Sequence, residues 1–111
     1  MKTVKIIIVA ILAIVITSTV YSQSATTKTE TIKVSGNCDM CKARIEKAAK
    51  VDGVSKAEWS KKDKTLTATF DSTKTSIDAI GKKVAAAGHD TEKVKATDTA
   101  YDKLPGCCKY R

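Results

Sequence analysis

Residues 54–70, VSKAEWSKKDKTLTATF, contain two strands and the turn that joins them. Leu66, Ala68 and Phe70 alternate with Thr65, Thr67 and Thr69, the period of a strand with one buried and one wet face. Threonine suits the wet face because β-branched side chains fit a pleated surface. Upstream, Ala57 and Trp59 share one face of Val54 to Trp59, with Lys56 and Glu58 on the other. The polar run Ser60 to Lys64 lies between the two strands, so the stretch predicts a hairpin.

On the N-terminal side, Ile32 and Val34 sit two apart in a strand over 31–34, which ends at the turn-prone Ser35, Gly36 and Asn37. From Cys41 to Lys50, Ile45, Ala48 and Ala49 form one apolar stripe, with Lys42, Arg44, Glu46 and Lys47 outside it. Val51, Asp52 and Gly53 stop this helix. On the C-terminal side, a second helix starts between Thr73 and Ser76 and runs to about Ala87. Ile77, Ile80, Val84 and Ala87 recur at spacings of three and four, and Gly88 terminates it. Residues 90–96 predict a weaker strand centred on Val94. The order is βαββαβ. It predicts an α+β, ferredoxin-like sandwich: a four-stranded antiparallel sheet with both helices on its apolar face.

The first 22 residues are of another kind. Lys2 and Lys5 precede the apolar run IIIVAILAIVI at 6–16, and Thr17, Ser18 and Thr19 follow it, the layout of an export signal. An apolar run this short falls below the roughly 20 residues that a bilayer span needs. Cleavage near Ser22 gives a mature chain outside the cytoplasm, in the periplasm of a bacterium; retention gives an N-terminal membrane tether. Removing Lys2 and Lys5 lowers the formal charge of the 111-residue chain from +8 to +6 and leaves 89 residues, enough for one core. That length excludes a large multidomain enzyme. Residues 23–29, QSATTKT, form an exposed lead-in.

Eighteen lysines against two arginines are spread over strands, loops and helices. Single-stranded nucleic-acid binders need a basic track interleaved with stacking aromatics, and no such cluster occurs, so no nucleic-acid partner is expected. The charge suits docking to an acidic partner or an anionic surface.

Four cysteines carry the chemistry. Cys38 and Cys41 flank Asp39 and Met40 where the first strand passes into the first helix. A three-residue offset entering a helix turns both sulfurs to one side, and the free N–H groups there favour thiolates. Soft thiolates select Cu(I), Zn(II) and similarly thiophilic ions over calcium or magnesium. A disulfide, a pair of reduced thiols and a redox-active pair are the competing readings of the same spacing. Cys107 and Cys108 follow 65 intervening residues that contain no cysteine, in the tail sequence LPGCCKYR. They complete a four-thiolate site, bind a second ion, or trap the first pair in disulfides. Tyr101 and Leu104 are expected to lay residues 97–106 against the domain and bring the tail cysteines towards the loop. His89 is expected to make a surface or edge contact.

From about Glu30 to Ala96 the chain resembles the heavy-metal-associated domain, the family of small copper chaperones, periplasmic mercury-binding proteins and N-terminal modules of copper-transporting ATPases. The resemblance runs through IKVSGNCDMCKARIEKAAKVDGV, then KAEWSKKDKTLTATFD, then the second helix ending AAAGHD. It implies that Cys38 and Cys41 hold the ion. It also places Ser35 and Gly36 where the family carries a glycine and a methionine.

These readings give a domain over 30–96 followed by a cysteine-containing tail over 97–111. The expected function is binding and transfer or buffering of a soft heavy-metal ion, Cu(I) first, then Hg(II) or Zn(II), without enzymatic catalysis. Cys38, Cys41, Cys107 and Cys108 are the candidate ligands. A metal-transporting membrane protein or another metal-binding domain is the implied partner. A thiol–disulfide redox protein and a disulfide-stabilised envelope interaction domain are the alternatives.

Overall fold

The hairpin expected over 54–70 forms, and its second strand is the centre of the sheet. In the computed structural model, which describes residues 26–111, β2 (Val54–Ser60) and β3 (Thr65–Asp71) pair antiparallel with Trp59 opposite Leu66 and Ala57 opposite Ala68. Lys64 closes the turn with φ of 57°, its N–H donating to Ser60 O at 2.8 Å. β1 (Thr27–Lys33) lies on the other side of β3, giving the order β1-β3-β2. The wet face carries the threonines: the Oγ1 atoms of Thr29 and Thr69 are 2.9 Å apart, those of Thr31 and Thr67 3.0 Å. The export segment 1–22 and the first three residues of the lead-in lie outside the described residues. From Thr27 the lead-in is already strand, paired through Asp71, although its side chains are exposed as expected.

Two helices cover the opposite face. α1 (Asp39–Ala49) begins two residues before the expected Cys41 and buries Cys41, Ile45 and Ala49. α2 (Ile77–Ala86) starts behind Ser76, whose Oγ accepts from Ala79 N at 3.1 Å, and buries Ile80, Val84 and Ala85. Cys41, Ile45, Ala49, Ile80 and Val84 meet Ile32, Ala57, Trp59, Leu66, Ala68 and Phe70 in one core. Gly88 ends the α2 segment with φ of 109°, and a Cβ there would lie 2.9 Å from Ala100 O and from Leu104 Cδ2. Glycine is required on both counts. Among the described residues no helix is long and apolar enough to cross a membrane.

The sheet has three strands, not the four expected. Residues 90–96 keep only a remnant of strand pairing: Ser35 N donates to Asp90 O and Glu92 N to Lys33 O around a single Val34–Thr91 bridge. Side chains take up the remaining backbone groups. Thr91 Oγ1 donates to Val94 O and accepts from Val94 N, folding 91–94 into a turn, while Asp90 Oδ1 accepts from Ala96 N. Thr and Asp compete with sheet ladders in this way because their oxygens reach nearby backbone. The short helix α3 (Asp98–Asp102) follows, capped by Thr97 Oγ1, then a tight turn at Gly106–Cys108.

Candidate metal centre

Cys38 occupies the N-cap of α1 with extended backbone (φ −140°, ψ 176°), and Cys41 lies one turn in. The cap position sets Cys38 half-exposed at the rim, whereas Cys41 points into the core and is fully buried. Their sulfurs are 3.3 Å apart, and all four cysteines are free thiols. The two sulfurs have opposite acidities. The Cys41 backbone N–H at the helix start, with help from the neighbouring thiols, outweighs desolvation and lowers Cys38 to about 7. Burial pushes Cys41 up to about 11. A thiolate therefore forms far more readily at the rim than on the sulfur beneath it.

The loop before Cys38 is shaped by Trp59. The indole is buried, its Nε1 donates to Val34 O at 3.0 Å, and its ring edge lies where a Cβ on Gly36 would come within 2.9 Å of Cζ2. Trp59 thus fills the space beneath the loop, and only glycine fits above it at residue 36. Lys64 Nζ reaches over the indole to Gly36 O at 2.6 Å. Glu46 ties α1 to β2 by accepting from Trp59 N at 2.9 Å and from Lys42 Nζ at 2.8 Å.

The tail returns to this loop. Tyr101 and Leu104 are buried against the domain, as their apolar character suggested. Tyr110 Oη donates to Gly88 O and accepts from Asp90 N, both at 2.7 Å. Arg111 reaches Asp90 Oδ1 at 2.8 Å, Ala96 O at 2.9 Å and Asp98 Oδ1 at 3.0 Å. Asn37, one residue before Cys38, donates to Lys109 O at 2.7 Å and joins loop and tail directly.

This path brings all four expected residues together. Cys38 Sγ lies 3.4 Å from Cys108 Sγ and 3.8 Å from Cys107 Sγ. Cys38, Cys41 and Cys108 form a cluster whose sulfurs all lie within 4.8 Å of one another. Cys107 stays exposed, its thiol donating to Met40 Sδ at 3.7 Å. Cys108 is buried, and burial raises its thiol.

Arg44 Nη1 donates to Cys108 Sγ at 3.3 Å, a contact the sequence did not reveal because Arg44 lies on the polar side of α1. His89 also departs from expectation. It is wholly buried, with Nδ1 2.9 Å from Ser35 O, so Nδ1 carries the proton and donates it. Its Nε2 is buried with no partner, and the ring stacks on Tyr110 with centroids 5.8 Å apart. No signal in the AAAGHD stretch marked the tail that covers it.

The donor set fits a soft ion: clustered sulfurs, one of them ionising near neutrality, and no carboxylate among them. No family model matches the sequence. The mercuric transport protein periplasmic component of Shewanella putrefaciens is 43% identical over 67 residues, covering 59% of this chain and 74% of that protein. The crystal structure of oxidized MerP from Ralstonia metallidurans CH34 is similar at 37% identity and a TM-score of 0.56, covering 60% of this chain and 94% of that one. The N-terminal domain of a potential copper-translocating P-type ATPase from Bacillus subtilis, in the Cu(I)-loaded state, is similar at 25% identity and a TM-score of 0.56. That likeness covers 65% of this chain and 92% of the domain.

Proposed function

The chain belongs to the heavy-metal-associated family that includes the periplasmic components of mercuric transport, and from that premise we propose that it binds a soft heavy-metal ion and hands it to another thiol site outside the cytoplasm. The observation that carries this reading is the Cys38–Cys41 pair, its sulfurs 3.3 Å apart with the rim sulfur lowered to about 7. The thiolate at Cys38 makes the first bond to an incoming ion, and Cys41 follows by releasing its proton. Transfer reverses the order: Cys41 takes a proton back as its bond to the ion breaks, and Cys38 lets go last as a thiolate of the receiving site bonds to the ion. The protein acts as a carrier, with no bond of a substrate made or broken by a catalytic residue. The receiving site belongs to a metal-transporting membrane protein or another metal-binding domain.

Hg(II) is the proposed cargo, supported by the mercuric relatives at 43% and 39% identity. Cu(I), the first expectation from the sequence, is the second reading, supported by the likeness to the Cu(I)-loaded domain. Zn(II), whose closed sites take four ligands, suits the Cys38–Cys41 pair by itself least.

Titrating the reduced protein with Hg(II) in competition with a calibrated dithiol is expected to give one tightly held ion per chain. Cys38→Ser combined with Cys41→Ser is expected to lower the affinity by about a hundredfold or more, at about 1.4 kcal/mol per tenfold. A parallel anaerobic titration with Cu(I) ranks the two ions. Unchanged binding in the double variant would remove the assignment.

A further inference from the structure

We propose that the ion sits in a closed three-sulfur site made by Cys38, Cys41 and Cys108, and that Cys107 is the exposed relay thiol through which it enters and leaves. The proposal rests on the functional reading above and adds the tail to it. Three observations carry it. The first is distance: Cys38 Sγ is 3.3 Å from Cys41 Sγ and 3.4 Å from Cys108 Sγ, and all three sulfurs lie within 4.8 Å of one another. A planar site with metal–sulfur bonds of about 2.3 Å, the length zinc thiolates make, has edges near ~4.0 Å, so small side-chain rotations admit an ion. The second is burial: Cys41 and Cys108 are fully buried, one from α1 and one from the tail, so the cluster is closed from two sides. The third is the anchoring of the tail through Tyr110, Arg111 and Asn37, which holds Cys108 beside the loop.

Cys107 has the opposite character. It is exposed, yet its sulfur is 3.8 Å from Cys38 and 3.9 Å from Cys108. An ion arriving on Cys107 and Cys38 moves inward when its bond to Cys107 breaks and a bond to Cys108 forms. The Cys108 proton passes to the departing Cys107 thiolate, and the third bond forms as Cys41 gives its proton to water, so charge and atoms balance. Arg44 Nη1, 3.3 Å from Cys108 Sγ, favours a divalent cargo. Three thiolates, one guanidinium and a divalent ion sum to zero charge, whereas a monovalent ion leaves one negative charge in a largely buried site.

X-ray absorption at the mercury edge tests this on the reduced protein loaded with one equivalent of Hg(II) chloride. Three sulfurs are expected around mercury in the unaltered protein, which requires no variant to fold. Cys108→Ser is expected to reduce the count to two. Cys107→Ser is expected to keep three sulfurs while slowing release of the ion to a competing dithiol several-fold. Two sulfurs in the unaltered protein, or four, would overturn the proposal and leave the Cys38–Cys41 reading standing. A Cys107→Ser variant that releases the ion at the unaltered rate would overturn the relay. No mercury–sulfur scattering at all would remove the functional reading and this one together.

Discussion

Replacing Trp59 with alanine is expected to destabilise the protein by about 3–5 kcal/mol, the usual result of emptying a buried aromatic site. The total stability of a small domain is roughly 5–15 kcal/mol, so this variant stands near the edge of folding. The loss has more than one source. The indole is fully buried, its Nε1 is the donor for Val34 O, and its ring edge supports the loop at Gly36. Trp59 is the chain's single tryptophan, so urea unfolding is followed by far-ultraviolet circular dichroism rather than fluorescence. Trp59→Phe keeps most of the ring and removes the donor, and is expected to cost about 1–3 kcal/mol for the carbonyl left without a partner. In Trp59→Ala the Cys38–Cys41 loop loses its floor, so mercury affinity falls with stability. A Trp59→Ala protein unfolding at the unaltered urea midpoint would show that the loop does not depend on the indole.

The second expectation joins the tail to pH. Tyr110→Phe leaves the ring in place but deprives Gly88 O and Asp90 N of their shared partner. The expected cost is about 2 kcal/mol, within the range for unsatisfied buried groups. The unaltered protein should also lose stability as the pH is lowered through the ordinary histidine value of 6.5. Burial holds His89 below that value, and Arg44 adds to the effect, against the opposing pull of Ser35 O and Asp90. The unfolded chain then binds a proton that the folded chain resists. The stabilisation is full above 6.5 and declines as the pH falls towards the lower folded value. Asp90 acts in the same direction further down. Its burial raises the carboxyl, but Arg111, Ala96 N–H and Tyr110 outweigh that and hold it below 3.8, so stability is lost as that carboxylate protonates. His89→Asn keeps a donor for Ser35 O and removes the titration, so its stability should vary less between pH 7 and 5. Equal slopes in the two proteins, measured by urea unfolding across that range, would exclude His89 as the source.

Much of this architecture was legible in the sequence wherever a local period matched a buried face. Leu66, Ala68 and Phe70 line the core as their alternation required, and Ile80 and Val84 do so at helical spacing. The expected fourth strand is absent because the side chains of Asp90 and Thr91 capture backbone groups that a ladder would use, local contacts that the sequence period over 90–96 does not reveal. The Cys38–Cys41 spacing identified a thiol pair at a helix start without further help. The approach of Cys108 to Cys38 depends on contacts such as Tyr110 to Gly88 and Asn37 to Lys109, pairs far apart in the chain that leave no periodic trace. The burial of His89 leaves no local trace for the same reason: Tyr110, which stacks on it, is 21 positions away.

The central claim is that a soft ion is held at the junction of β1 and α1 by Cys38 and Cys41. Anomalous diffraction at the mercury edge, from crystals of the reduced protein loaded with one equivalent of Hg(II), tests it most directly. The account predicts one dominant peak within bonding distance of the Cys38 and Cys41 sulfurs, on the side where the tail closes over them. A dominant peak away from both sulfurs, with the pair unliganded, would contradict it.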